Sequence, residues 1–174
     1  SLQEISKATN KTKEELLELK NPLDQSRPYL APSLLPNLLN NVVLNSPGFE
    51  AIKIFELGKV FFRPAGQRMA EERRLAAAVW GRSQTDFTEL KGALDFFFKG
   101  VGITPIYEKG RGESIFEPQE FFQVKVAREM VGHLGRVKEE IRESLKISSP
   151  LYALEINFEK IFPGFSDKKI YHPL

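Results

Sequence analysis

Strand-like and helix-like runs follow one another along this chain without βαβ alternation, and that feature narrows the fold more than any other. A parallel pair of strands needs a long crossover, normally a helix, between its members. Here Ile52 to Phe62 reads as strand from Ile52, Ile54, Val60 and Phe62, with Gly58 marking a bulge or a close backbone approach. Pro64-Ala65-Gly66 turns the chain, and Arg73 to Trp80 follows as a second strand. Its run from Leu75 to Trp80 is apolar on both faces, which places it inside a sheet. Short strands are expected near Thr104 to Tyr107, Phe121 to Ala127 and Met130 to Val137, the last two as a hairpin, and Leu151 to Phe158 closes the series. The expected class is α+β on an antiparallel sheet flanked by helices.

Four segments read as helix. Thr12-Lys13-Glu14-Glu15 has capping-box spacing before Leu16, Leu17 and Leu19, and Asn21-Pro22 ends that helix. Ser33 is an N-cap candidate for a helix reaching about Leu44, with Pro36 in its first turn, where a missing N–H costs little. At 100° per residue, Leu34, Leu35, Leu38, Leu39, Val42 and Val43 fill an arc of roughly 180°, whereas a surface helix shows a stripe of about 100°. One sheet contact hides about half of such an arc. Leu35, Leu39 and Val43 are therefore expected on an uncovered far edge, and with Leu38 and Val42 they form the candidate subunit interface. Asp86-Phe87-Thr88-Glu89 opens a third helix lasting to Gly100 or Gly102, with Phe87, Leu90, Leu94, Phe97 and Val101 facing the sheet. Lys138 to Leu145 is a charged helix, and the tail from Pro163 reads as a linker. Residues 1–162 are expected to form one module and 163–174 a connection toward a further domain; the start at Ser1 and the stop at Leu174 read as a segment of a longer chain.

Composition excludes more chemistry than it suggests. The 174 residues contain no cysteine, which removes disulfides, thiolate metal sites and cysteine nucleophiles. Fourteen phenylalanines against one Trp and four Tyr point to a core or an interface. His133 and His172 have no His or carboxylate at ligand spacing, so no metal site is expected and His133 reads as a strand-surface residue. Gly100-Val101-Gly102 and Gly110-Arg111-Gly112 lack the remainder of any phosphate-loop pattern and read as turns. No G-x-S-x-G elbow occurs, and Glu71-Glu72 and Glu139-Glu140 lie in charged, solvated stretches. Twenty-five bases against 23 acids leave a net charge of +2. Residues 51–100 carry nine bases and six acids, among them Arg68, Arg73, Arg74 and Arg82, which keeps a free-standing RNA-binding α+β domain as the alternative reading. Apolar runs are too short to span a bilayer, no secretory signal opens the chain, and a cytoplasmic location is expected.

Five blocks carry a family resemblance. Asn21-Pro22-Leu23 with Leu30-Ala31-Pro32-Ser33-Leu34-Leu35-Pro36-Asn37-Leu38-Leu39 resembles the "NPL … LRxSLLPGLL" stretch of phenylalanyl-tRNA synthetase beta subunits. Phe55-Glu56-Leu57-Gly58-Lys59-Val60-Phe61 is similar to "FEIGRVF", and Asp86-Phe87-Thr88-Glu89-Leu90-Lys91-Gly92 to "DFxxLKG". Val131-Gly132-His133-Leu134-Gly135 resembles the family's "xGxLGxLHP" hairpin, and Leu151-Tyr152-Ala153-Leu154-Glu155-Ile156 its "VYAFEL" strand. Together, in family order, they cover essentially the whole chain.

The resemblance implies a catalytic-like module built on the class II synthetase antiparallel fold. In that family the alpha subunit activates phenylalanine, so this module would be catalytically silent, holding no cofactor itself while the parent complex uses ATP and Mg2+. The leucine-rich helix would correspond to class II motif 1, which packs against the alpha subunit, and tRNA would be engaged through the parent complex. Ala31 stands where the family has Arg, Asn37 where it has Gly, and Glu117-Pro118-Gln119-Glu120 near where it has "HPGR". No role of that Arg carries over. The residues agree on the negative point: no G-x-G-x-G-x-E-R run exists, and Arg63 is the nearest echo of the motif 2 arginine.

Overall fold

The computed structural model describes residues 13–23, 25, 28–49, 51–64, 66, 69, 71–82, 87–111 and 115–161. Six strands make one sheet in the order β1-β2-β6-β5-β4-β3, every neighbouring pair antiparallel. They are β1 (Ala51–Phe62), β2 (Glu71–Arg82), β3 (Ile106–Lys109), β4 (Phe116–Val126), β5 (Glu129–Val137) and β6 (Leu151–Asn157). The helices are α1 (Leu35–Asn45), α2 (Phe87–Gly100), α3 (Glu139–Ser144) and α4 (Phe158–Ile161). The class expected from the sequence is the class observed. β2 pairs on both edges, with β1 and β6, as its two-sided apolar run requires.

Strand alternation sorts the core into two layers, one on each face of the sheet. On the first face, Leu34, Leu35, Leu38, Leu39 and Val42 of the α1 region pack over Ile52, Val60, Leu75, Leu151 and Ala153. On the second, Leu90, Leu94 and Phe98 of α2 pack over Val124, Leu134, Tyr152, Leu154 and Ile156, and Ile161 of α4 joins them. Glycines set how closely neighbouring strands and helices approach. A Cβ at Gly58 would stand 2.9 Å from Leu34 Cδ2, which answers the expected close approach. A Cβ at Gly132 would drive into the Glu155 carbonyl oxygen and stand 2.9 Å from Ile156 Cα.

Local outcomes differ from the sequence reading at identifiable places. The expected first helix is only a 3-10 turn at Lys13–Glu15. Beyond it the chain is extended: Leu19 N donates to Pro28 O at 2.7 Å, and Leu30 N donates to Leu17 O at 2.9 Å. Burial of Leu16 and this short ladder outweigh helix propensity; Thr12, the capping residue, lies outside the described residues. The face of α2 is also rotated. Phe98 is fully buried, Phe97 is half-buried, and Phe96 and Val101 are exposed, so the packed stripe is Leu90-Leu94-Phe98. Asp86 and the tail from Pro163 lie outside the described residues. β4 begins earlier than expected, because a register shift between Phe116 and Phe121 accommodates Pro118, which cannot donate to a ladder. The hairpin between β4 and β5 turns on Ala127 (φ 48°) and Arg128 (φ 71°), two left-handed non-glycine residues. That geometry fits the right-handed twist of the strands it joins.

Candidate functional site

The sequence placed the candidate site on α1, and the structure shows how much of that face the chain's own core covers. Leu35, Leu38, Leu39 and Val42 are buried in this chain's own core, and Val43 is half-buried against it. Leu39 is 3% exposed, so the expectation of an uncovered far edge at Leu35 and Leu39 does not hold. The reason is local. Besides the sheet, Ile147 and the half-buried Ile141 and Leu145 of α3 and its exit join the same cluster and close over the edge the sheet leaves open. The arc left in solvent carries Asn37, Asn40, Asn41 and Leu44, with Leu44 69% exposed. No other described part of the chain packs on that face.

α1 begins where a carboxylate holds it to the sheet. Ser33 Oγ donates to Glu155 Oε1 at 2.7 Å, and Leu34 N donates to the same oxygen at 2.8 Å. Ser33 Oγ also accepts from Leu35 N at 3.2 Å, but the N-cap position is Leu34, one residue later than the sequence suggests, and it makes no side-chain cap. Burial pushes the Glu155 carboxyl above the usual carboxylate range, while these hydrogen bonds pull it back in part.

Register puts Glu155 in a polar row across the sheet. His133 on β5 stands opposite Glu155 on β6, and Gln123 on β4 stands opposite His133. Directly opposed residues share a face, so all three project toward the α1 side. They line a cavity of about 450 Å³, with Phe62, Phe116 and Phe121 among its apolar walls and Arg73 and Arg111 among its charged residues. Phe116 and Phe121 stack at 5.3 Å, the His133 ring lies 5.5 Å from Phe121, and the Arg73 guanidinium sits 4.6 Å over the Phe62 ring. Burial pushes the His133 imidazole below its ordinary value, which keeps it neutral at physiological pH. The strand-surface reading of His133 therefore gives way to a cavity-lining one. Lys160, also at the cavity, is engaged by Glu129 at 2.8 Å and by the Met130 carbonyl at 3.1 Å. Polar residues inside otherwise apolar strands were the available signal for this row, but only strand register brings them together.

Described basic residues are interleaved with acids rather than gathered in a stripe. Lys53 pairs with Glu89, Lys59 with Glu72 at 2.8 Å, Lys125 with Glu108 at 2.5 Å, and Arg142 with Glu139 at 2.6 Å. A second ionic cluster is structural: Lys91 (2.6 Å) and the Tyr107 hydroxyl (2.5 Å) both donate to Asp95. Burial alone would raise the Asp95 carboxyl, but these donors outweigh it and hold it below the usual range; burial and Asp95 push Tyr107 upward. Among the described residues no group of three His, Cys, Asp or Glu could hold a metal ion, and no helix is long and apolar enough to cross a membrane.

One antiparallel sheet with helices packed on both faces is the fold of the class II aminoacyl-tRNA synthetases. The chain is similar to a pyrrolysyl tRNA synthetase from Desulfitobacterium hafniense, with a TM-score of 0.65 over 84% of this chain and 52% of that one, at 15% identity. Residues 1–158 match the phenylalanyl tRNA synthetase beta chain CLM domain, and the chain belongs to that family. Among its relatives are the phenylalanine–tRNA ligase beta subunits of Moorella thermoacetica (27% identical over 154 residues, covering 82% of this chain and 19% of that protein) and Geobacter metallireducens (25% over 171 residues, 91% and 21%). The chain spans about a fifth of the length of these relatives.

Proposed function

We propose that the chain is a non-catalytic structural module of a phenylalanine–tRNA ligase beta subunit, working in the cytoplasm and supporting assembly with the alpha subunit in phenylalanyl-tRNA synthesis. The observation that carries this reading is the family match across residues 1–158. The chemistry of the first sheet face supports it. Glu155 is the carboxylate lining the cavity among the described residues, and it holds Ser33 and the start of α1 rather than standing open to a metal or a nucleotide. The parent complex uses ATP and Mg2+; in this reading neither acts within this module, and tRNA is met through the parent.

Assembly through α1 then falls to the outer arc of Asn37, Asn40, Asn41 and Leu44, with Val43 at its edge, since Leu35, Leu38, Leu39 and Val42 are spent on the core. Co-elution of the purified chain with a phenylalanyl-tRNA synthetase alpha subunit tests the partner. Pyrophosphate exchange with phenylalanine and ATP tests the silence: none is expected from the isolated chain, and exchange by a contaminant-free sample overturns the non-catalytic reading.

A further inference from the structure

β1 is an edge strand, and its outer backbone is occupied only at one end. Phe61 N donates to Ala31 O and Arg63 N donates to Glu15 O, both at 2.8 Å. Alternate residues of an antiparallel strand turn their backbone groups to opposite sides. The odd-numbered residues of β1 therefore point away from β2, and the even-numbered ones bond to it. Among the described residues no partner reaches the outward backbone groups of Phe55, Leu57 or Lys59. The side chains along this open edge are apolar and exposed. Ile52 and Val60 are buried on the first face, so the odd-numbered residues lie on the second. Phe55 there is 78% exposed and Leu57 63%, while α2 packs farther along the sheet, over β4, β5 and β6.

Edge strands are normally blunted by free charge, by proline or by a bulge. β1 has no proline and no register shift, and its lysines are engaged within the chain, Lys53 by Glu89 and Lys59 by Glu72 at 2.8 Å. The strand is also complementary to itself. Antiparallel pairing with a second copy about Phe55 sets Ala51 opposite Lys59, Lys53 opposite Leu57 and Glu56 opposite Ile54, with no like charges facing. That register ends at Lys59, just short of the edge that Ala31 occupies at Phe61. Centring on Glu56 would set Glu56 against Glu56 and Lys53 against Lys59. Centring on Leu57 would drive the second strand into the place of Ala31.

We propose that β1 is a self-association edge, at which two copies of this chain pair antiparallel through residues 51–59 and join their sheets into one. Phe55 of each copy packs against the other at the two-fold axis, and the outward amides and carbonyls of the two strands exchange hydrogen bonds. The contact uses no residue of the outer arc of α1, so it stands independently of the assembly role proposed above.

Sedimentation equilibrium of the 174-residue chain reads the mass directly. A small contact of this kind predicts a dissociation constant on the order of 50 µM, so monomer at about 5 µM and mostly dimer at about 0.5 mM are expected. Hydrogen exchange at the Phe55, Leu57 and Lys59 amides should slow about fivefold between the two concentrations, since those amides are bonded only in the dimer. Phe55→Lys sets two ammonium groups face to face, and Leu57→Pro removes an outward N–H while sparing the bonds to β2; each should weaken dimerisation about tenfold. Phe96→Lys, at an equally exposed ring on α2, should leave it unchanged. A monomer at the higher concentration overturns the proposal. So does a dimer that Phe55→Lys leaves intact, which would put the contact on another surface. Protection of these amides by the alpha subunit alone also overturns it and gives the edge to that partner.

Discussion

Truncating Phe98 to Ala measures how the second layer of the core is built. Phe98 has no exposed surface, lies edge-on to Phe97 at 5.4 Å, and packs in the cluster of Leu90, Leu94, Val124, Leu134 and Leu154. It sits in the last turn of α2, with α2 above and the strands below, so little can collapse into the vacated space. Removing a buried Phe side chain costs about 3–5 kcal/mol, transfer and cavity together. A domain of this kind has about 5–15 kcal/mol in total. At about 2–4 °C per kcal/mol, the melting temperature should fall by about 6–20 °C. Two neighbours calibrate the result. Phe96 is 79% exposed, so Phe96→Ala should change stability by no more than about 0.5 kcal/mol. The half-buried Phe97 should fall between them. Chemical denaturation of the three variants is the assay. A larger loss for Phe97→Ala than for Phe98→Ala would refute the packed stripe of Leu90, Leu94 and Phe98.

The remaining predictions use other parts of the fold. Leu39→Lys should abolish cooperative melting, because it buries an unpaired ammonium, whereas Leu44→Lys should melt like the parent and lose co-elution with the alpha subunit; intact co-elution of Leu44→Lys removes the outer arc of α1 from the interface. Gly132→Ala should cost several times the roughly 1 kcal/mol of an average substitution, since its Cβ meets the backbone of β6, while Gly92→Ala, with open space around it, should stabilise by about 0.5–1 kcal/mol in thermal melts. Replacing Ala127-Arg128 by Asn-Gly should also stabilise by about 1 kcal/mol in denaturant titrations, because both positions require positive φ. The raised folded pKa of Glu155 makes its contribution fully present below the ordinary carboxyl value and lost as pH rises through the raised one. The stability advantage of Glu155→Gln over the parent, measured by denaturation across that window, should therefore grow from acid toward neutral pH.

Periodicity located the strands well because period-2 and period-3.6 patterns report burial directly, and burial dominates in β6. It failed where burial alone does not choose the face. In α2, Phe96, Phe97 and Phe98 are consecutive and equally apolar, so any of the three could have led the stripe. The choice of Phe98 follows from how α2 lies across β5 and β6, a tertiary fact with no local signature. At residues 17–19 three apolar positions near a capping box suggested helix, yet the partner residues 28–30 arrive from beyond Pro22 and convert the stretch to a ladder. A non-local backbone pairing of that sort is invisible to any window of the sequence.

The expectation of an uncovered edge at Leu35 and Leu39 failed for a related reason, and the error is instructive about α1. Its roughly 180° apolar arc was correctly read as more than one sheet contact can cover, but excess apolar surface does not say who covers it. Ile141, Leu145 and Ile147, about a hundred residues later in the chain, supply that cover. The polar row under α1 shows the converse. Gln123, His133 and Glu155 each look like an ordinary interruption of an apolar strand, and only register makes them one object. One member of the row, Glu155, is committed to positioning α1 through Ser33 and Leu34, which fixes the roof of the cavity relative to its floor. A helix tied down in this way holds its core-facing leucines over the sheet while presenting Asn37, Asn40, Asn41 and Leu44 outward in a fixed orientation. The same carboxylate thus sets both the cavity on the inner side of α1 and the direction in which its exposed outer arc faces.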